Sequence, residues 1–334
     1  MNTERNISPL EARLLNDYQR DFPLTPQPFA RIAEQLETQA ATVITCLQKL
    51  QQQGAVSRVG PVFRPNRIGA STLAALSAPG AELERVAGIV SARPEVNHNY
   101  EREHTFNLWF VVTAEDQERL QAVLDSIGRD TGYKPISLPL VKEYHIDLGF
   151  GLGGNAGRGR MQYAPTSDIS GRGVLHTPSL DDPLIEAIQS GLPLVERPYL
   201  EIGKQVGMAE QEVIQCIAEM QAAGVIKRLG VVVRHHELGY RANAMLVWDV
   251  PDALVDEVGQ RLSGVDCVTL CYQRPRVLPV WPYNLFTMIH GKDRHEVLAC
   301  IDDIAAKLEL GDIPRHVLFS TRRFKQCGAR YRGD

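Results

Sequence analysis

The chain has 334 residues, enough for about two domains, with 44% apolar residues and a formal net charge of -4. That balance argues against a polybasic nucleic-acid or membrane-surface protein. No apolar run approaches the ~18 residues of a membrane span, and the polar stretch Met1 to Glu11 lacks the apolar core of a signal peptide.

Residues 1–69 read as a winged helix-turn-helix. Leu10 to Arg20, Phe29 to Leu36 and Thr42 to Gln53 carry helical apolar spacing, Gly54 stops the third helix, and Ala55 to Phe63 reads as a two-stranded wing. Residues 70–150 read as β-α-β-β-α-β, a ferredoxin-like unit: strands Ser71–Ala78, Val96–Arg102, Thr105–Thr113 and Ile136–Asp147, the last broken by Pro139, with helices Ala81–Ala92 and Ala114–Gly128. Residues 151–178 are a Gly-rich linker without the spacing of a phosphate loop. The pattern then restarts, as a second winged helix over 179–239 and a second ferredoxin-like domain over 240–334. Gly54, Gly60 and Gly69 match Gly224, Gly230 and Gly239 at one constant offset. The fold class expected is therefore α+β, a tandem duplication of a winged helix plus an αβ domain.

Neither recognition-helix position suits a duplex. Gln39 to Gln53 holds one basic residue, Lys49, and Met208 to Ala223 holds none, with Glu210, Glu212 and Glu219 instead. An acidic helix is repelled by phosphates, so no DNA partner is expected. The six cysteines (Cys46, Cys216, Cys267, Cys271, Cys300, Cys327) contain no C-x-x-C pair and no disulfide-like density, and they fit a reducing cytoplasm, mostly as buried small hydrophobes.

The stretch with the most chemistry is Cys271 to Gly291, which packs Tyr272, Arg274, Arg276, Trp281, Tyr283 and Asn284 around three prolines. Aromatic faces beside guanidinium forks suit a flat ligand rimmed with carboxylates; an ordinary aromatic hairpin with solvated arginines is the alternative. A shorter twin runs from Asn99 through Tyr100 and Arg102 to Phe110. Histidines able to donate a proton or approach an iron are His98 and His104 around the first Tyr-x-Arg, His145 at the end of the first half, and His235 and His236 after the second wing. Further polar candidates are Lys142 and Tyr144 beside His145, Arg234 beside His235, and Arg322, Arg323 and Lys325 at the corresponding end of the second half. No closed zinc site and no Ser-His-Asp pattern is visible.

The plan of a winged helix followed by an αβ ligand-binding domain resembles the Lrp/AsnC family. Within it, Arg234-His-His-Glu-Leu-Gly-Tyr240, Tyr272-x-Arg274-Pro-Arg276, Trp281-Pro-Tyr-Asn284-Leu-Phe286 and Lys142-x-Tyr144-His-Ile-Asp-Leu-Gly-Phe150 resemble the siroheme decarboxylases, in the fused two-domain NirDL type that serves heme d1 biosynthesis. The resemblance implies a cytoplasmic carboxy-lyase that removes the C12 and C18 acetate carboxyl groups of siroheme as CO2. It implies no added cofactor, since the iron enters with the substrate. Arg102, Arg274 and Arg276 would anchor the carboxylates that stay, and a histidine would supply the proton. The two acetates could be handled at two sites or in succession at one, and the inequality of the halves favours one dominant site, lined mainly by the second half and completed by the first. The two halves would form an intrachain pseudo-dimer, with a homodimer of chains as a further option. A transcriptional regulator and a non-catalytic tetrapyrrole carrier are the rival readings.

Overall fold

In the computed structural model, which describes residues 7–64, 69–146, 183–233 and 242–328, Ser8 opens the first helix with a reciprocal cap. Its Oγ accepts from the Glu11 N–H at 3.2 Å, and a Glu11 carboxylate oxygen accepts from the Ser8 N–H at 2.9 Å. Two donors that a helix start leaves unpaired are thereby satisfied. The first half runs α1 (Pro9–Asp17), α2 (Pro28–Gln35), α3 (Ala40–Gln52), β1 (Val56–Phe63), β2 (Ala70–Leu76), α4 (Leu83–Ser91), β3 (Val96–Arg102), β4 (Leu108–Ala114), α5 (Gln117–Thr131), β5 (Ile136–Pro139) and β6 (Lys142–Ile146). The second half repeats it as α6 (Pro183–Gln189), α7 (Pro198–Val206), α8 (Glu210–Ala222), β7 (Ile226–Val233), β8 (Ala242–Trp248), α9 (Val255–Ser263), β9 (Val268–Gln273), β10 (Leu285–Gly291), α10 (Arg294–Lys307) and β11 (Arg315–Gln326). The linker expected over 151–178 lies outside the described residues. Among the described residues, no helix is long and apolar enough to cross a membrane.

The chain divides into two compact units, and each takes material from both halves. One holds the winged-helix segments. Its wing differs from the expectation: β1 is a single strand whose partner is β7 of the other half, with Gly60 opposite Gly230 at mid-ladder. Those glycines mark close approach, not a turn. A Cβ on Gly230 would sit 2.3 Å from the Gln19 carbonyl oxygen, so the loop after α1 lies directly on the ribbon. Gly54, by contrast, does close α3, at φ +78°.

The other unit is one nine-stranded sheet, among the described residues, in the order β5-β2-β4-β3-β11-β8-β10-β9-β6. Strand β11 is shared: Arg315 to Phe319 pairs with β8, and Ser320 to Gln326 pairs with β3 of the other half. The first half does the same with an interruption at Leu140 and Val141, β5 pairing with its own β2 and β6 with the second half's β9. Each half thus completes the other's sheet. Helices α4 and α5 cover one outer face over Val86, Val112 and Ile127, and α9 and α10 cover the other over Leu246, Val258 and Ile301. The inner faces meet in a third core that joins Leu73, Trp109 and Leu138 to Met245, Tyr272, Phe286 and Leu318.

Cysteine use also differs from the expectation. Cys267 and Cys300 are bonded to each other, across the packing of α10 on the second sheet. Their separation of 33 residues gave the sequence no motif, because the helix that brings them together intervenes. Cys46, Cys216, Cys271 and Cys327 are free thiols.

Candidate functional site

Strand alternation puts residues i, i+2 and i+4 on one face, and β3 uses this to line up His98, Tyr100 and Arg102 on the inner face. The His98 and Tyr100 rings stack with centroids 6.3 Å apart, and the Arg102 guanidinium lies 5.9 Å from the Tyr100 ring centre. Asn99, between them, points the other way, its amide donating to the Ala87 carbonyl and to Ser91 Oγ of α4.

Arg102 is 7% exposed, and its Nη1 donates to the Leu318 carbonyl at 3.0 Å. Its Nε is buried without a partner. Among the described residues no carboxylate pairs with it; burial pushes its pKa down to about 10, opposed by Tyr272 and Tyr100. A buried guanidinium without an anion is costly, and such a group is a receptor for a carboxylate that arrives from outside. The second half repeats the device. Arg274 lies 4.6 Å over Tyr272, donates to the Leu138 carbonyl, has a buried unpartnered Nε, and is likewise lowered by burial.

Strand β11 supplies the other wall beside β3. Arg323 stands in register with Tyr100, Ser320 with Arg102, and Gln326 with His98. Directly opposed residues of an antiparallel pair share a face. Arg323 donates to Gln326 Oε1 at 3.0 Å. His98 Nδ1 is 2.7 Å from Asn97 Oδ1.

His104 follows in the β3–β4 turn. Its Nδ1 accepts from the Phe106 N–H at 3.0 Å, which leaves the proton of the neutral ring on Nε2. His316 meets it edge-on at 5.0 Å. Burial, and then the nearby His316, hold the His104 pKa below its ordinary value.

Other sequence candidates have structural partners. Trp281 is fully buried, with ring centroids 5.0 Å from Trp109 and Tyr283, 5.4 Å from His104, and 6.0 Å from Phe106 and Phe286. It is the centre of the inner core, with no face open to a ligand. Asn284 braces the fold, accepting from the Val250 N–H at 3.0 Å and donating to the Val250 carbonyl at 2.9 Å. Arg276 pairs with Asp249 at 2.8 Å and with Asp252.

The ends of the two halves also hold outer-face clusters. Lys142 pairs with Asp256 at 2.7 Å, and Tyr144 donates to the same carboxylate with its ring against Gly259 of α9. Arg322 pairs with Glu84 and stacks over Phe324, while Lys325 donates to the Ser91 and Arg93 carbonyls at the end of α4. His145 is in register with Cys271, whose side chain belongs to the outer core, so it shares that face. Arg234, His235 and His236 lie outside the described residues. The structure therefore gathers His98, Tyr100, Arg102 and Arg323, with Tyr272 and Arg274 at the matching place in the other half. Ser320, Gln326 and His316 were not legible as site residues, because only the pairing of β11 across halves brings them there.

Comparison with known proteins agrees with this architecture. The AsnC-like ligand binding domain profile matches residues 67–145 and 237–325, and the siroheme decarboxylase NirDL-like HTH domain profile matches residues 11–56 and 181–227. The siroheme decarboxylase NirDL subunit of Paracoccus pantotrophus is 45% identical over 321 residues, 96% of either chain. The chain belongs to the siroheme decarboxylase family. A crystal structure of the siroheme decarboxylase NirDL superposes with a TM-score of 0.68 at 29% identity, covering 96% of this chain and 93% of that one. A second, of the same decarboxylase with an iron-uroporphyrin III analogue, gives 0.67 at 29% identity, covering 94% and 92%. The tandem of two halves, each an HTH followed by an AsnC-like domain, is matched over nearly the whole chain by these NirDL relatives, whereas the separate NirL and NirD subunits of Stutzerimonas stutzeri match 43% and 44% of it.

Proposed function

We propose that this chain is a siroheme decarboxylase that removes the C12 and C18 acetate carboxyl groups as CO2 and yields 12,18-didecarboxysiroheme in the cytoplasm. One observation carries the reading to the site: Arg102, 7% exposed and without a carboxylate partner among the described residues, lies in line with an aromatic ring and a histidine. An iron macrocycle rimmed by carboxylates supplies what that arrangement lacks. Arg102 binds a carboxylate that stays, with its orphaned Nε completing a second bond. The acetate that reacts is held beside it, in a less hydrated place. Loss of water destabilises the localised carboxylate relative to a transition state whose charge spreads into the pyrrole. The C–C bond breaks, its electron pair passes to the ring-bound carbon, and CO2 departs. His98, entering the step as imidazolium, gives its proton to that carbon to form the methyl group and regains one from solvent. No organic cofactor takes part, and the iron enters with the substrate. The two halves act as one intrachain pseudo-dimer, each completing the other's sheet.

The test is anaerobic incubation of the purified protein with siroheme, followed by mass analysis of the extracted tetrapyrrole. Loss of two CO2 per molecule is the expected result. Siroheme recovered unchanged, whether bound or free, contradicts it.

A further inference from the structure

Cys267 is the residue before β9, and Cys300 lies in the middle of α10. Their bond therefore ties that helix to the start of a strand in its own half. Both residues are half-buried, at the rim of the outer core where Val297, Ile301 and Ile304 seat α10. Cys271, by contrast, is fully buried, and burial pushes its thiol pKa up. A small thiol or disulfide in solution reaches the first pair and not Cys271.

The first half joins the same two places without sulfur. Glu95 is the residue before β3, and its carboxylate accepts from the Arg119 guanidinium of α5 at 2.6 Å. The two helices share a frame: Asp116 caps α5 by accepting from the Arg119 N–H, and Asp293 caps α10 by accepting from the Glu296 N–H. In that frame Cys300 stands one turn further from its cap than Arg119 does, and so on the same face. Where the first half uses an ion pair, indifferent to redox, the second uses a bond that a reductant opens.

Helix α10 also reaches the other half. Arg294, its first residue, holds the two carboxylate oxygens of Glu103 at 2.7 Å each and lies 4.1 Å over the Phe319 ring. The Glu103 N–H donates to the Phe319 carbonyl at 3.0 Å, at the point where β11 leaves β8 for β3. Glu103 sits between Arg102 and His104 in the chain. The helix that the sulfur bond anchors is thus the one that pins the β3–β4 turn.

From this we infer that Cys267 and Cys300 are a site of reversible oxidation, and that its state passes through α10 and the Arg294–Glu103 pair to the β3–β4 turn of the other half. The inference rests on the reading above in one respect: a decarboxylase of the cytoplasm works in a reducing medium, where disulfides are transient or redox-sensing. The chemistry is thiol–disulfide exchange. A low-molecular-weight disulfide takes up the two electrons and two protons of the Cys267 and Cys300 thiols and leaves as two thiols, and the new S–S bond joins the cysteines. A dithiol reverses the step. Oxidised, α10 is held by sulfur to its own half and by Arg294 to the other. Reduced, it keeps its packing and the ion pair, and an exposed ion pair contributes little.

The experiment uses the full chain, equilibrated with oxidised or reduced glutathione. Alkylation in denaturant after an acid quench, with peptide mass mapping, counts the thiols: four in the oxidised form and all six in the reduced one. Reduction should lower the melting temperature by roughly 5 °C. Hydrogen exchange read by mass spectrometry should rise by about threefold or more over residues 101–107 as well as in α10. C267S and C300S should match the reduced protein in either buffer, C46S should respond as the unchanged chain does, and the reduced unchanged chain serves where a serine variant does not fold. A thiol count that is the same in both buffers overturns the inference, as does a bond mapped to other cysteines. So does equal exchange over 101–107 in the two forms, since a staple local to α10 leaves that turn untouched. None of these readouts uses siroheme, so the decarboxylase reading stands or falls separately.

Discussion

Arg102 donates to the carbonyl oxygen of Leu318 at 3.0 Å, and so ties the third strand of the first half to the last strand of the second. That bond uses one of five donors, and Nε remains without a partner. Burying an uncompensated charge opposes folding. Arg102→Met keeps the length and removes the charge. We expect it to leave thermal stability equal or higher, while weakening affinity for iron uroporphyrin by about tenfold to a hundredfold, the ~1.5–3 kcal/mol of a charged hydrogen bond. Calorimetry and titration on the same preparation check both signs. A fall in stability with unchanged affinity would make Arg102 a brace of the fold.

His98 stands two residues from the Tyr100 ring that it stacks on. If it delivers the proton, His98→Gln keeps a polar group in place and removes the acid. We expect tetrapyrrole binding within about threefold of the unchanged protein and CO2 release slower by roughly 100-fold to 10,000-fold, the range of a general acid. Single-turnover mass analysis separates the two effects. An equal loss in both would place His98 in binding alone.

The duplication, the helix caps at Gly54 and Gly224, and the strand over Val96–Arg102 were legible because each is a local signal: spacing, a glycine, alternation. The Tyr-x-Arg pairs were legible as chemistry for the same reason. What sequence could not supply is register between segments far apart. Arg323 beside Tyr100 and Glu143 beside Tyr272 follow from strands that cross between halves, and so does the single ribbon β1–β7 in place of two hairpin wings. Asn284 shows the converse. Its motif marks an asparagine beside aromatic residues, and the structure gives both ends of its amide to Val250, as Asn107 gives its own to Ala78. The repetition of Asn-Leu-aromatic in both halves is the signature of a shared brace.

Trp281 is expected to matter for stability. It is fully buried between Trp109, Phe286 and the His104 turn, and its indole Nε1 has no hydrogen-bond partner. Trp281→Ala removes one of the two tryptophans at the junction of the inner faces and should cost roughly 3–5 kcal/mol. Trp281→Phe gives up no hydrogen bond and should cost clearly less. Urea unfolding of the three proteins checks the order, and equal costs for Ala and Phe would show that the junction collapses around the change.

His104 gives a pH dependence with a definite sign. Its pKa is lowered by burial and then by His316, so the folded protein resists protonation there more than the unfolded chain does. Stability from this group is present above the unfolded value, ~6.5, and is lost as pH falls through that value toward the depressed folded one. The groups around the ring are Phe106, Trp281 and His316, with Glu103 next in sequence and held by both guanidinium nitrogens of Arg294 at 2.7 Å. We therefore expect the melting temperature of the unchanged protein to fall more between pH 7.5 and 5.5 than that of His104→Phe, which titrates nowhere in that window. His316→Gln should give an intermediate slope, since it removes the neighbouring charge and leaves the burial. Parallel melting curves for all three would show that another group carries the acid sensitivity.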